Sequence, residues 1–222
     1  MIWNNHKELE GKHAFMGASN YHWTSYDDIT FEARYYSQFS QVIGTAIHQL
    51  AHDCIVSRTK LNKHDIHLIE MTLYKAFVPK DAYDPGLILD NLIPFVNDAI
   101  GFHMSSEILL YYNPFCFGTA DAIGYYEKEK VLRIHDYKNG VNQANIKQLY
   151  IYAALFCLEY KVNPRSLNLI ECRIYQNLEV LIDNPTGDLI QEYMDKIQNR
   201  TELIKIFLER EGRWVYEQKR FY

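Results

Sequence analysis

A chain of 222 residues that is 48% hydrophobic and 23% charged has the composition of an ordinary globular protein, long enough for one domain with its own core. A net charge of -5 excludes a protein that coats nucleic acid by charge alone, and no apolar run reaches the length that a bilayer span requires. The charge is uneven: residues 1–126 carry 8 Lys and Arg against 14 Asp and Glu, while residues 127–222 carry 15 against 14, so any field attracting a polyanion must be local. In chain order, residues 37–57 place Phe39, Val42, Ile43, Ala46, Ile47, Leu50, Ala51 and Cys54 at helical spacing. Residues 64–77 repeat the pattern with Ile66, Ile69, Leu73 and Ala76; Pro79 and the turn Asp84-Pro85-Gly86 punctuate it before a third helix over 87–101. Strands are predicted over 106–112, 118–126 and 131–137, the last two joined by the polar turn Glu127-Lys128-Glu129-Lys130. A helix over 143–160 presents Ile146, Leu149, Tyr150, Ala153, Ala154 and Cys157 on one stripe. Pro164 ends it, a strand follows over 166–175, and a long amphipathic helix runs over 187–213. This order predicts an α/β fold, a mixed central sheet flanked by helices with a helical N-terminal extension. No linker or repeat divides the chain, so one domain is expected over 1–222, mainly helical to 104 and sheet-based after it.

Cys54, Cys116, Cys157 and Cys172 form no Cys-x-x-Cys pair, so neither a zinc ribbon nor an iron–sulfur cluster is expected. Reduced, mostly buried thiols and a cytoplasmic location fit this pattern, as does the lack of a secretion signal over residues 1–6. The aromatic stretch 15–26, with Tyr21, His22 and Trp23, reads as a packing brace before it reads as a base-stacking surface. His48 and His52 form His-x-x-x-His without the intervening Glu of a metalloprotease, and His52 is expected to be structural or exposed.

The chemistry-bearing residues lie between 107 and 152. Gly118-Thr119-Ala120-Asp121 is followed fifteen residues after Asp121 by Asp136-Tyr137-Lys138. A strand alternates its faces, so Asp136 and Lys138 project together, and the intervening hairpin brings Asp121 alongside Asp136. Two carboxylates and an ammonium then converge, with the Tyr137 carbonyl as a further oxygen. Magnesium takes oxygen ligands in near-octahedral geometry, which suits this set. Gln148 and Tyr152, four residues apart, share a face of the helix that follows.

These motifs resemble those of the PD-(D/E)xK nuclease superfamily, and within it the RecB-like exonucleases of phages and of CRISPR adaptation. Gly118-Thr119-Ala120-Asp121 is similar to the Gly-x-x-Asp motif, with Ala120 where the superfamily's proline stands. Asp136-Tyr137-Lys138-Asn139-Gly140 resembles Asp-x-Lys-Thr-Gly, and Gln148-Leu149-Tyr150-Ile151-Tyr152 resembles Gln-x-x-x-Tyr. Gly44-Thr45-Ala46-Ile47-His48 resembles the Gly-x-x-x-His helix, and Glu107 falls where many members carry a further acid. The resemblance implies a restriction-endonuclease-like core and a Mg²⁺- or Mn²⁺-dependent deoxyribonuclease acting on DNA ends, single- or double-stranded. It implies Asp121, Asp136, Lys138, Gln148 and Tyr152 as catalytic residues and His48, Glu107, Asp121, Asp136 and Tyr137 around the metal. A recombination or single-strand annealing protein is the partner it suggests; no membrane is involved. A module with a decayed nuclease centre and a structure-specific endonuclease are the alternatives, the intact Asp121, Asp136 and Lys138 speaking against the first.

Overall fold

A computed structural model describes residues 4–140 and 143–210. Four helices come first: α1 (Asp28–Ser37), α2 (Ser40–Ser57), α3 (Ile66–Lys75) and α4 (Pro85–Gly101). Three strands follow, β1 (Ser105–Asn113), β2 (Cys116–Tyr126) and β3 (Val131–Tyr137), then α5 (Lys147–Tyr160), β4 (Leu169–Gln176), β5 (Glu179–Asp183) and α6 (Gly187–Arg210). The five strands form one sheet in sequence order, antiparallel throughout except between β3 and β4, which run parallel. Only a parallel pair needs a long crossover, and α5 supplies it.

The chain is α/β, with a mixed sheet covered on both faces. One core joins Ile47, Leu73, Leu92, Phe95 and Val96 from α2–α4 to Tyr137 and Tyr175 of the sheet. The other joins Leu149, Ala153 and Phe156 of α5 and Ile190 of α6 to Leu110, Leu132, Ile134 and Ile174. The N-terminal helices are thus one of the two covering layers, more than an extension. Among the described residues no helix is long and apolar enough to cross a membrane.

Local sequence explains several boundaries. The turn at Asp84-Pro85-Gly86 opens α4: the Asp84 carboxylate accepts from the Gly86 and Leu87 N–H groups, with proline at the first helical position. Helix α5 starts at Lys147, later than its apolar stripe suggests, because the Ala144 N–H is held by the Gln176 side chain and Lys147 N–H by Asn145. Two elements escape the sequence reading. Helix α1, rich in aromatic and β-branched residues of low helix propensity, buries none of its residues and is capped by Asp27, which accepts from Thr30 N–H. Strand β5 closes a two-residue hairpin with Asn177 and Leu178 both left-handed. That turn ordinarily announces itself by an Asn-Gly pair, and leucine in the glycine place hides it. The strand predicted over 166–175 forms later, at Leu169, because Pro164–Ser166 is a helical turn capped by Asn163. The end of the last predicted helix, 211–213, lies outside the described residues.

Three cysteines, Cys54, Cys157 and Cys172, are buried and Cys116 is half-buried, all four as free thiols. The aromatic N-terminal stretch acts locally: Phe15 packs edge-on against Phe31 and Tyr35 of α1, and the Trp23 indole donates to the Gly17 carbonyl.

Candidate metal centre

Sheet register builds the centre. Pairing of Ala122 with His135 sets Asp121 level with Asp136, and pairing of Ser106 with Ala122 and Ile108 with Ala120 sets Glu107 level with Asp121. Glu107, Asp121 and Asp136 therefore stand in a row across β1, β2 and β3. Glu107 occupies the row in an unusual way. Its φ is +56°, a left-handed conformation that a glutamate inside a strand adopts at a cost of about 1–3 kcal/mol. Such strain concentrates at sites whose surroundings hold a side chain in place for use.

Helix α2 brings a histidine over this row. Ile47 and Ala51 are buried and seat the helix, so that His48, next to Ile47, reaches sideways from it. His48 Nδ1 lies 3.4 Å from Asp121 Oδ2 and 4.0 Å from Glu107 Oε1. Ligand atoms of His48, Glu107 and Asp121 all fall within 4.8 Å of one another. Asp136 stands beside this group: its carboxylate is almost wholly buried and engages the Lys138 ammonium, Oδ1 at 3.1 Å and Oδ2 at 3.0 Å. Only Oδ1 accepts a hydrogen bond from Lys138; Oδ2 is ion-paired with the same ammonium and, among the described residues, accepts no hydrogen bond. Asp121 Oδ2 accepts from the Tyr137 N–H at 2.9 Å, which fixes it between the strands.

The electrostatics follow from burial. Burial pushes the Asp121 carboxyl above the ordinary range, against the opposing pull of the Tyr137 N–H and the Lys138 charge, and Glu107 adds to the rise. Burial and then the neighbouring Asp121 do the same to Asp136. Burial lowers the His48 pKa, more than the carboxylates of Asp136 and Glu107 raise it, so the imidazole is neutral and has a lone pair to offer. For Lys138, burial alone would lower the pKa, yet Asp136 and Asp121 together hold it above the usual lysine value.

These residues fit a divalent cation. A buried Asp136 oxygen that accepts no hydrogen bond among the described residues, a neutral imidazole and the carboxylates of Glu107 and Asp121 form an oxygen-rich set in which three carboxylates face the single ammonium of Lys138. The Tyr137 carbonyl belongs to the same place, since it faces the His48 ring as a hydrogen-bond acceptor. The Tyr137 ring lies in the core against Phe95 and meets the His48 ring edge-on, with centroids 5.6 Å apart.

Gln148 and Tyr152 lie on the opposite flank. The Gln148 amide donates to the Tyr152 hydroxyl at 3.2 Å. The Tyr152 ring lies on Gly118: a methyl group there would stand 3.0 Å from the ring carbon Cε1. The glycine of the Gly-x-x-Asp motif thus makes room for the tyrosine of the Gln-x-x-x-Tyr motif. Gln148 lines a cleft of about 430 Å³ with Lys138, Gly140 and Lys147. A second cleft, of about 640 Å³, opens on the α2 side between Thr45, His48, Gln49 and His52 and the strand residues Glu107, Thr119 and Asp121. Gln49 and Lys147 lie outside every motif and Thr119 fills a variable position of Gly-x-x-Asp, so spacing singles out none of the three. His52 is half-buried on this cleft, with Nδ1 buried and, among the described residues, unpartnered. Gly44 faces the Asn139 side chain, whose atoms lie 3.6 and 3.7 Å from where a Cβ would be, which brings α2 within van der Waals reach of the residue after Lys138.

Comparison of the chain with protein-family models, with curated proteins and with solved structures finds no match.

Proposed function

We propose that the protein is a metal-dependent deoxyribonuclease of the PD-(D/E)xK type. The observation that carries this reading is the row Glu107–Asp121–Asp136 across three strands, with neutral His48 above it and the Lys138 ammonium beside it. Mg²⁺ or Mn²⁺ would be held by Asp121 and Asp136, with Glu107, His48 and the Tyr137 carbonyl completing the set. Such an ion, when bound, polarises a phosphoryl oxygen and acidifies water.

The chain's own groups divide the remaining work. Lys138, kept protonated by Asp136, is placed to stabilise negative charge growing on phosphorus, which suits it better than proton abstraction. Gln148 fixes the Tyr152 hydroxyl beside the basic cleft of Lys138 and Lys147, where a phosphodiester backbone finds donors of both kinds. The preference for DNA ends comes from the motif resemblance, as does the suggestion of a strand-annealing partner.

A digestion panel tests the reading. Linear and closed-circular DNA, single- and double-stranded and end-labelled, is incubated with Mg²⁺ or Mn²⁺. Loss of label from linear DNA with closed circles intact is expected. Cleavage of closed circles would replace the exonuclease reading by an endonuclease one, and no cleavage of any DNA would overturn the proposal.

A further inference from the structure

The outer face of the β1–β2 hairpin continues past the metal centre. Antiparallel register sets three cross-strand pairs in line: Glu107 with Asp121, then Leu109 with Thr119, then Tyr111 with Phe117. Leu109, Tyr111, Phe117 and Thr119 lie on the face turned away from Leu110 and Ala120, which point into the α5 core, and Thr119 shares a cleft lining with Glu107 and Asp121. The middle and outer pairs are open to solvent: Leu109 is 56% exposed, Phe117 54% and Tyr111 40%, and Thr119 is exposed as well. The two rings of the outer pair lie stacked, with centroids 6.4 Å apart and planes 29° from parallel. The larger cleft includes Thr119 beside Glu107 and Asp121, and Phe117 stands two residues beyond Thr119 on the same strand.

We propose that Tyr111 and Phe117 form a stacking platform for an unpaired base of the DNA strand whose phosphate lies at the metal centre. The inference rests on the nuclease reading and adds to it the substrate class, a strand with unpaired bases. Four residues of strand separate the outer pair from the carboxylates, about 14 Å, which is the length of roughly four stacked nucleotides and of fewer in an extended strand. A base inside a duplex is already stacked on both sides and has no free face for the rings. An unpaired base does, and aromatic stacking of this kind tolerates any sequence. Large exposed rings in line with a cluster of carboxylates suit a ligand with alternating apolar faces and anionic links, the anions neutralised at the metal centre and the bases resting beyond it.

Binding of a fluorescent single-stranded oligonucleotide, measured by anisotropy with Ca²⁺ in place of Mg²⁺, tests this apart from hydrolysis. Phe117→Leu keeps an apolar side chain and removes the ring; it is expected to weaken binding by about fivefold to a hundredfold, the range carried by one stacked base. Phe117→Trp is expected to bind as tightly as the wild type or more so, and an unchanged thermal midpoint in both variants excludes misfolding. An oligonucleotide with a single abasic sugar, moved along the strand, should cost the wild type the same factor at one position and cost Phe117→Leu nothing further there. Equal binding by wild type and Phe117→Leu, or an abasic loss that persists in the variant, would overturn the platform. A change in self-association in place of DNA affinity would likewise overturn it and assign the face to a protein contact. Cleavage of the same oligonucleotide in Mg²⁺ is scored separately. Cleavage with no effect of Phe117→Leu on binding sinks the platform alone, whereas the expected binding losses without any cleavage sink the nuclease reading alone.

Discussion

Replacing Asp121 with asparagine should make the metal-free protein more stable. The side chain is 14% exposed, and burial raises its pKa from 3.8 to about 6, a rise that corresponds to about 3 kcal/mol at about 1.36 kcal/mol per unit. The Tyr137 N–H and the Lys138 charge offset part of the burial cost, and Asp121 in turn raises Asp136, so a single substitution should recover about 2 kcal/mol. Asparagine keeps an oxygen to accept the Tyr137 N–H bond that Asp121 now holds, and so removes the charge without removing the anchor. For a chain of this length, 2 kcal/mol corresponds to a rise in Tm of about 4–8 °C. The dependence on pH follows from the direction of the shift. The native state binds the proton more tightly than the unfolded chain, so this contribution is fully present below the unfolded value near 4 and is lost as pH rises through about 6. The assay is thermal denaturation in EDTA across this range. Asp121→Asn should exceed the wild type above neutrality and converge with it in acid, and added Mg²⁺ should stabilise the wild type alone. A variant less stable than the wild type in EDTA above neutrality, or a gain independent of pH, would refute the argument that the centre is a buried cluster of excess negative charge.

His48→Ala should weaken metal binding by at least about tenfold in calorimetry while moving Tm little, because the buried neighbours Ile47 and Ala51 are what seat α2. Gly118→Ala should push the Tyr152 ring off its seat and cost about 1–3 kcal/mol by denaturant unfolding, with a fall in cleavage rate that Tyr152→Ala does not deepen. Glu171 is buried, which alone would raise its pKa, but His135, Arg133 and Arg173 outweigh this and hold it well below the carboxylate range. Its contribution is therefore present above about pH 4.5 and lost in acid, and Glu171→Ala should cost about 3 kcal/mol near neutrality, by leaving half-buried Arg133 without its carboxylate while Arg173 keeps Asp98, and less at low pH.

Legibility differed by the kind of signal. The strands and helices around the centre were readable because apolar periodicity and hairpin punctuation coincide there: Leu132 and Ile134 alternate with the polar Arg133 and His135, and Asp84-Pro85 marks a helix start. The convergence of Asp121 with Asp136 followed from strand period and hairpin register alone. What stayed hidden depends on tertiary placement. Helix α1 has no buried face to create a period, and the hairpin into β5 uses a left-handed leucine that no composition rule anticipates. The left-handed Glu107 and the seat of Tyr152 on Gly118 depend on tertiary placement and leave no signal in spacing, whereas the grouping of His48 with Glu107 and Asp121 was expected from the motif resemblance alone.

The central claim is that Lys138 and the carboxylates beside it hydrolyse DNA with a divalent cation. End-labelled linear DNA should be followed over time with wild-type protein in Mg²⁺, wild-type protein in EDTA, and Lys138→Ala in Mg²⁺, the variant first shown by calorimetry to bind the metal. Label should be lost in the first sample only, with Lys138→Ala slower by at least about a hundredfold, since an ammonium aimed at developing charge acts in the transition state and is no metal ligand. Equal rates for the wild type and Lys138→Ala, or cleavage that persists in EDTA, would contradict that claim.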